Sequence, residues 1–221
     1  MRPFEEEFKL LNDTLQEMGA LVAHSIHRSV LSLVEKNEDY AHQVIRDESR
    51  VDQMEIQIDD LAASLIVREQ PVARDMRLVV AAIKISTDLE RMGDLAVHIA
   101  ERSLSLLTQP PLPDTMNFGA LASVVESMVL GSLDSFVKRD AQVARGILER
   151  DDTVDKSRNT IQRQLIELMQ KDSSTITRAI DYLIIARKLE RIGDHATNIA
   201  EDVIFLTQGI DVRHRAAAEV A

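Results

Sequence analysis

The chain has 221 residues, 45% hydrophobic and 29% charged, a composition that supports a packed core and is too apolar for intrinsic disorder. Lys plus Arg is 26 against Asp plus Glu at 37, a formal charge of -11, which argues against recognition of nucleic acid through its phosphates and favours cations or basic surfaces as partners. The absence of cysteine excludes disulfides, thiolate metal sites and cysteine nucleophiles and is compatible with a reducing cytoplasm, while 3% aromatic residues and no Trp leave base-stacking and sugar-stacking shelves poorly supplied.

At the start of the chain, Met1, Arg2, Pro3 and Phe4 are followed by three Glu, without the apolar core and cleavage site of a secretory signal, so export is not expected. Breakers and cap residues predict helix boundaries at Lys36 and Asn37, at Gln70 and Pro71, at Lys138 to Asp140, and at Asp172 and Ser173. Between them apolar residues recur three and four apart, as in Ile85, Leu89, Met92, Ala96 and Ile99, the period of an amphipathic helix. Residues 78–85 form the densest apolar stretch, but they include Lys84 and fall far short of the roughly 20 residues a bilayer span needs, so no membrane insertion is expected. Pro110, Pro111 and Pro113 stand together near the midpoint.

The expected fold is therefore all-α, with six helices in two tandem three-helix bundles. Residues 1–109 form the first bundle, 110–116 a Pro-rich linker, 117–209 the second bundle, and 210–221 a tail whose last residues, 213–221, are expected to fray. The halves are related in sequence. Leu89 to Asp94 with Ile99 to Glu101 answer Leu189 to Asp194 with Ile199 to Glu201 at an offset of 100. Earlier segments align at 103, pairing Val51 and Asp52 with Val154 and Asp155, and Ser29 and Ser32 with Ser132 and Ser135, so the second hairpin is three residues shorter.

Each repeat carries two acidic pairs spaced i, i+4, which share a helix face: Glu48 with Asp52 and Glu90 with Asp94, then Asp151 with Asp155 and Glu190 with Asp194. At about 100° per residue they lie beside the apolar seams through Val51, Ile58 and Leu65 and through Leu89, Met92, Ala96 and Ile99. Across an antiparallel hairpin, residues equally far from the turn share a level. Glu48 and Asp94, and Asp52 and Glu90, are centred on Pro71; Asp151 and Asp194, and Asp155 and Glu190, are centred between Asp172 and Ser173. Each hairpin thus brings four carboxylates together, and like charges at i, i+4 cost about 0.2 to 0.5 kcal/mol per pair. A neutralising cation is expected, with all-oxygen ligation suiting Mg, Mn or Ca and carboxylate bridging suiting iron or zinc. Glu101 and Glu201 extend the stripe as secondary candidates.

Gly93 and Gly193 sit mid-helix beside a proposed ligand, either for close helix packing or to admit an ion. His98 and His195 occupy different repeat positions and are expected on the surface. The methionines, including Met18, Met54, Met92 and Met128, fit the core. No Gly-rich phosphate loop is visible, so the sequence gives little support to direct phosphate binding.

Glu-Arg-x-Gly-Asp in each half, preceded by an acidic pair within two three-helix repeats of this length, resembles the PhoU family over essentially the whole chain. That resemblance implies a non-enzymatic cytoplasmic accessory protein of high-affinity phosphate transport that restrains phosphate uptake and the phosphate-starvation regulon. Its implied partners are the transporter's ATP-binding subunit and the phosphate-sensor histidine kinase, with homodimer formation expected. It also implies multinuclear iron or zinc clusters, with Mn or Mg as alternatives, held by Glu48, Asp52, Glu90, Asp94, Asp151, Asp155, Glu190 and Asp194. Two rival readings fit parts of this pattern. A di-metal carboxylate oxidase would require ExxH aimed into the core, which neither Glu90 nor Glu190 begins. A metal-free adaptor would use the acidic stripes to bind basic partner surfaces.

Overall fold

The computed structural model describes residues 3–113, 116–210 and 212; most of the expected tail, including 213–221, lies outside them. Helices α1 (Pro3–Val34), α2 (Glu38–Glu69) and α3 (Arg74–Leu107) form the first unit. Helices α4 (Phe118–Lys138), α5 (Ala141–Lys171) and α6 (Ile176–Gln208) form the second, with a 3-10 turn at Ser173–Thr175. The fold is two three-helix units, and the helix breaks fall where breakers and cap residues placed them. The Asn37 side chain accepts from Asp39 N, and Asp140 accepts from Gln142 N and Val143 N, closing the N-termini of α2 and α5. Gln70 and Arg139, both left-handed, end α2 and α4.

The apolar seams point inward. Val51, Ile58, Leu65, Leu89, Met92, Ala96 and Ile99 are all buried, as are Met18, Met54, Met92 and Met128. The buried side chains form one continuous core that runs through both units, because α1 packs on α4 and α3 packs on α6. Both cross-unit pairs are antiparallel. A Cβ on Gly19 would collide with Leu133 while His27 lies 3.2 Å from Glu126, so α1 and α4 run in opposite directions. Across α3 and α6, Lys84 meets Asp202 at 3.2 Å, Asp88 meets His195 at 2.8 Å and Arg102 meets Asp181 at 3.0 Å.

The repeat-matched serines Ser29, Ser32, Ser132 and Ser135 are fully buried. Each hydroxyl donates to the carbonyl three residues earlier at 2.6 to 2.8 Å, so each is satisfied within its own helix and presents only a small side chain to the packing.

One expectation is corrected here. By length and composition α4, not residues 78–85, is the segment apolar enough to cross a membrane, with a mean hydropathy of 1.4. Its apolarity has a packing cause. The helix touches α1, α5 and α6, so much of its circumference faces protein, and half of the apolar window is buried.

Candidate functional site

The eight carboxylates lie on helices α2, α3, α5 and α6. Asp52, Asp155 and Asp194 are exposed, and Glu48, Glu90, Asp94, Asp151 and Glu190 are half-buried. Hairpin geometry groups them as the sequence levels require. Partial burial, then Asp94 and Asp52, raise the Glu48 pKa above the ordinary carboxyl range; burial, then Asp94, Glu55 and Asp52, raise that of Glu90. In the second unit, burial followed by Asp194 and Asp155 raises the Asp151 pKa. Loss of water around the Asp194 carboxyl, then Glu190 and Asp155, raises that of Asp194. For Glu48 and Asp151 the partner that acts most strongly across the hairpin, Asp94 and Asp194 respectively, is the one equally far from the turn, whereas Glu90 feels Glu55 before Asp52.

Proximity of charge is not convergence on an ion. Among the described residues, no group of three or more His, Cys, Asp or Glu side chains is placed to hold a metal ion. The expected iron or zinc clusters, with their Mn or Mg alternatives, are therefore overturned. The carboxylates stand along outer helix faces, close enough to repel but without the shared focus that metal ligation demands. In the second unit a resident cation is already present: Arg158 Nη2 donates to Glu190 Oε1 at 2.6 Å.

The glycines beside the acids serve packing. A Cβ on Gly93 would meet Val51 Cγ1 at 3.3 Å, and one on Gly193 would meet Val154 Cγ1 at 3.5 Å, the matching valine of the other repeat. His98 is exposed as expected, but His195 is not. Its side chain is 13% exposed and bonds to Asp88 across the two units, a contact 107 positions apart that helix periodicity does not reveal.

The units differ where Glu55 of the first answers Arg158 of the second. Thr87 Oγ1 donates to Glu55 Oε1 at 3.2 Å, so these two positions touch across the hairpin. Their counterparts are Arg158 and Arg187. A cavity of about 420 Å³ opens beside that pair, lined by Arg158, Gln162, Leu183, Ala186, Arg187 and Glu190.

The family model for the PhoU domain matches residues 15–103 and again 119–203, one copy per three-helix unit. The chain belongs to the PhoU family. It is similar to the phosphate-specific transport system accessory protein PhoU homolog of Pseudomonas putida, at 36% identity over 98% of this chain and 87% of the relative. A homolog of the same description from Aquifex aeolicus is also 36% identical, over 94% and 96% of the two chains. The crystal structure of PhoU from Pseudomonas aeruginosa superposes with a TM-score of 0.89 at 36% identity, covering 94% of this chain and all of that one. The phosphate transport system regulatory protein PhoU of Streptococcus pneumoniae superposes with a TM-score of 0.86 at 27% identity, covering 95% and 99%. Family membership makes this chain a phosphate-regulatory accessory protein rather than an enzyme, and the oxidase reading falls with it.

Proposed function

We propose that this PhoU-family chain is a cytoplasmic negative regulator of phosphate uptake and of the phosphate-starvation response. It works as a metal-free acidic adaptor between the phosphate transporter's ATP-binding subunit and the phosphate-sensor histidine kinase. The carboxylates are its docking surface. The observation that supports this reading is the first unit's quartet of Glu48, Asp52, Glu90 and Asp94, drawn to one level, with no ion pair to a lysine or arginine among the described residues. A basic partner surface relieves the repulsion that the fold leaves standing, and gains affinity and orientation from it.

The test is binding of the purified chain to the kinase's cytoplasmic region and to the ATP-binding subunit, in chelator and across a salt series. The expected result is chelator-resistant binding that weakens with salt and falls at least about tenfold when Glu48, Asp52, Glu90 and Asp94 become Gln or Asn. Undiminished binding by that variant, or binding that chelator abolishes, overturns the reading.

A further inference from the structure

The repeats diverge most sharply in charge at one place. At the turn-side edge of the acidic quartet, which Glu90 closes, and the levels just beyond it, the first unit carries Glu55, Asp59, Thr87 and Glu90; the matching positions of the second unit are Arg158, Gln162, Arg187 and Glu190. Three carboxylates and a hydroxyl in one unit answer two guanidiniums, an amide and a single carboxylate in the other. Because Glu55 and Thr87 are in hydrogen-bond contact, the hairpin sets Arg158 and Arg187 opposite each other, and both line the cavity of about 420 Å³.

Two facing guanidiniums repel unless anions lie between or beside them. Glu190 answers only the first, accepting from Arg158 Nη2 at 2.6 Å. Arg158 Nη1 donates to Asn159 Oδ1 at 2.7 Å and to Gln162 Oε1 at 3.1 Å, while its Nε–H is buried and has no hydrogen-bond partner. These bonds hold the Arg158 fork in one orientation. Arg187 is exposed and, among the described residues, forms no ion pair or side-chain hydrogen bond. The cavity therefore has one fixed and one free guanidinium, an amide side chain, and an apolar back wall of Leu183 and Ala186.

From this arrangement we infer that the cavity between α5 and α6 binds a free tetrahedral oxyanion, inorganic phosphate, with Arg187 as its principal partner and Arg158 as the fixed second charge. Planar guanidinium forks match oxyanion geometry and hold it with paired, charge-assisted hydrogen bonds. The overall charge of -11 opposes an anion only weakly at this range, since physiological salt screens beyond about 8 Å. This site needs no Gly-rich loop and adds a ligand to the regulatory reading above; it does not depend on the acidic docking face.

Calorimetric titration of the full chain with orthophosphate, at constant ionic strength and with chelator present, tests the inference. Wild-type protein is expected to bind one phosphate saturably. Arg187→Gln is expected to weaken binding at least about tenfold, the loss of one charge-assisted hydrogen bond, and Arg74→Gln, an exposed arginine at the other hairpin, to leave it unchanged. Arg187 has no partner to lose, so its variant folds as the parent does, and circular dichroism checks this. Arg158→Gln also frees Glu190 and serves only as a second arm. Absence of saturable binding up to millimolar phosphate, or wild-type affinity in Arg187→Gln, overturns the site. Partner binding by the acidic face is measured separately, so either result stands whichever way the other falls.

Discussion

Asp88 on α3 and His195 on α6 lie 2.8 Å apart with both side chains 13% exposed, a bond that joins the two repeats through their third helices. Asp88→Asn keeps the shape and removes the charge. It is expected to lower unfolding stability by about 1 kcal/mol, read as a lower urea midpoint with an unchanged slope. The slope is retained because the apolar α3–α6 and α1–α4 contacts remain. A variant that unfolds in two steps would show that this bond, and not the shared core, couples the repeats.

Raised carboxyl pKa values fix the sign of a pH effect. Glu48, Glu90, Asp151 and Asp194 all hold their protons more tightly when folded. Their stabilising contribution is full below the ordinary carboxyl range and is lost as pH rises through the folded values. Their contribution to the melting temperature is expected to grow as pH is lowered toward the ordinary carboxyl range, while His24, whose pKa burial lowers, opposes it as pH falls through the ordinary imidazole value. Asp172, whose pKa is lowered by its side-chain and backbone hydrogen bonds with Ser174, opposes this trend only at more acid pH. Glu48→Gln is expected to stabilise the protein at neutral pH by about 0.5 kcal/mol and to flatten the pH slope.

Three glycines predict three different outcomes when each becomes Ala. At Gly193 the new methyl makes an ordinary contact with Val154, so Gly193→Ala gains about 0.5 to 1 kcal/mol of helix propensity. At Gly93 the 3.3 Å approach to Val51 offsets part of that gain, and the net change is expected to be smaller. At Gly19 the methyl collides with Leu133 of the other repeat, and a loss of about 1 to 3 kcal/mol follows from overpacking. Denaturant titration of the three variants should preserve this order.

Ala73, in the turn between α2 and α3, has φ 43° and ψ -97°, a backbone conformation that a Cβ resists. Ala73→Gly is expected to stabilise the protein by about 1 kcal/mol, strain relief exceeding the entropy of the unfolded glycine. An unchanged or lower melting temperature would contradict it.

The helix breaks, the buried seams and the facing carboxylates were legible in the sequence because each depends on local chemistry: caps at Asn37 and Asp140, a three-four apolar period, and equal distances from a turn. The fate of the acids was not. Residue spacing gives a level along a hairpin but not the direction in which a carboxylate extends, so it cannot separate four acids that repel from four that converge on an ion. His195 escaped for a related reason. Its place depends on how one repeat lies on the other, and α6 taken alone gives no sign of α3. Likewise the apolarity of α4 became intelligible only once three neighbouring helices surrounded it.

The single core has a consequence for how such a protein can be divided. Although each half repeats the other, the two share one core. Severed at the linker, the first half would expose the surfaces of α1 and α3 that now lie against α4 and α6, and the second half would expose the complementary pair. The two pieces would be sticky fragments suited to recombine with each other, like the halves of a split reporter.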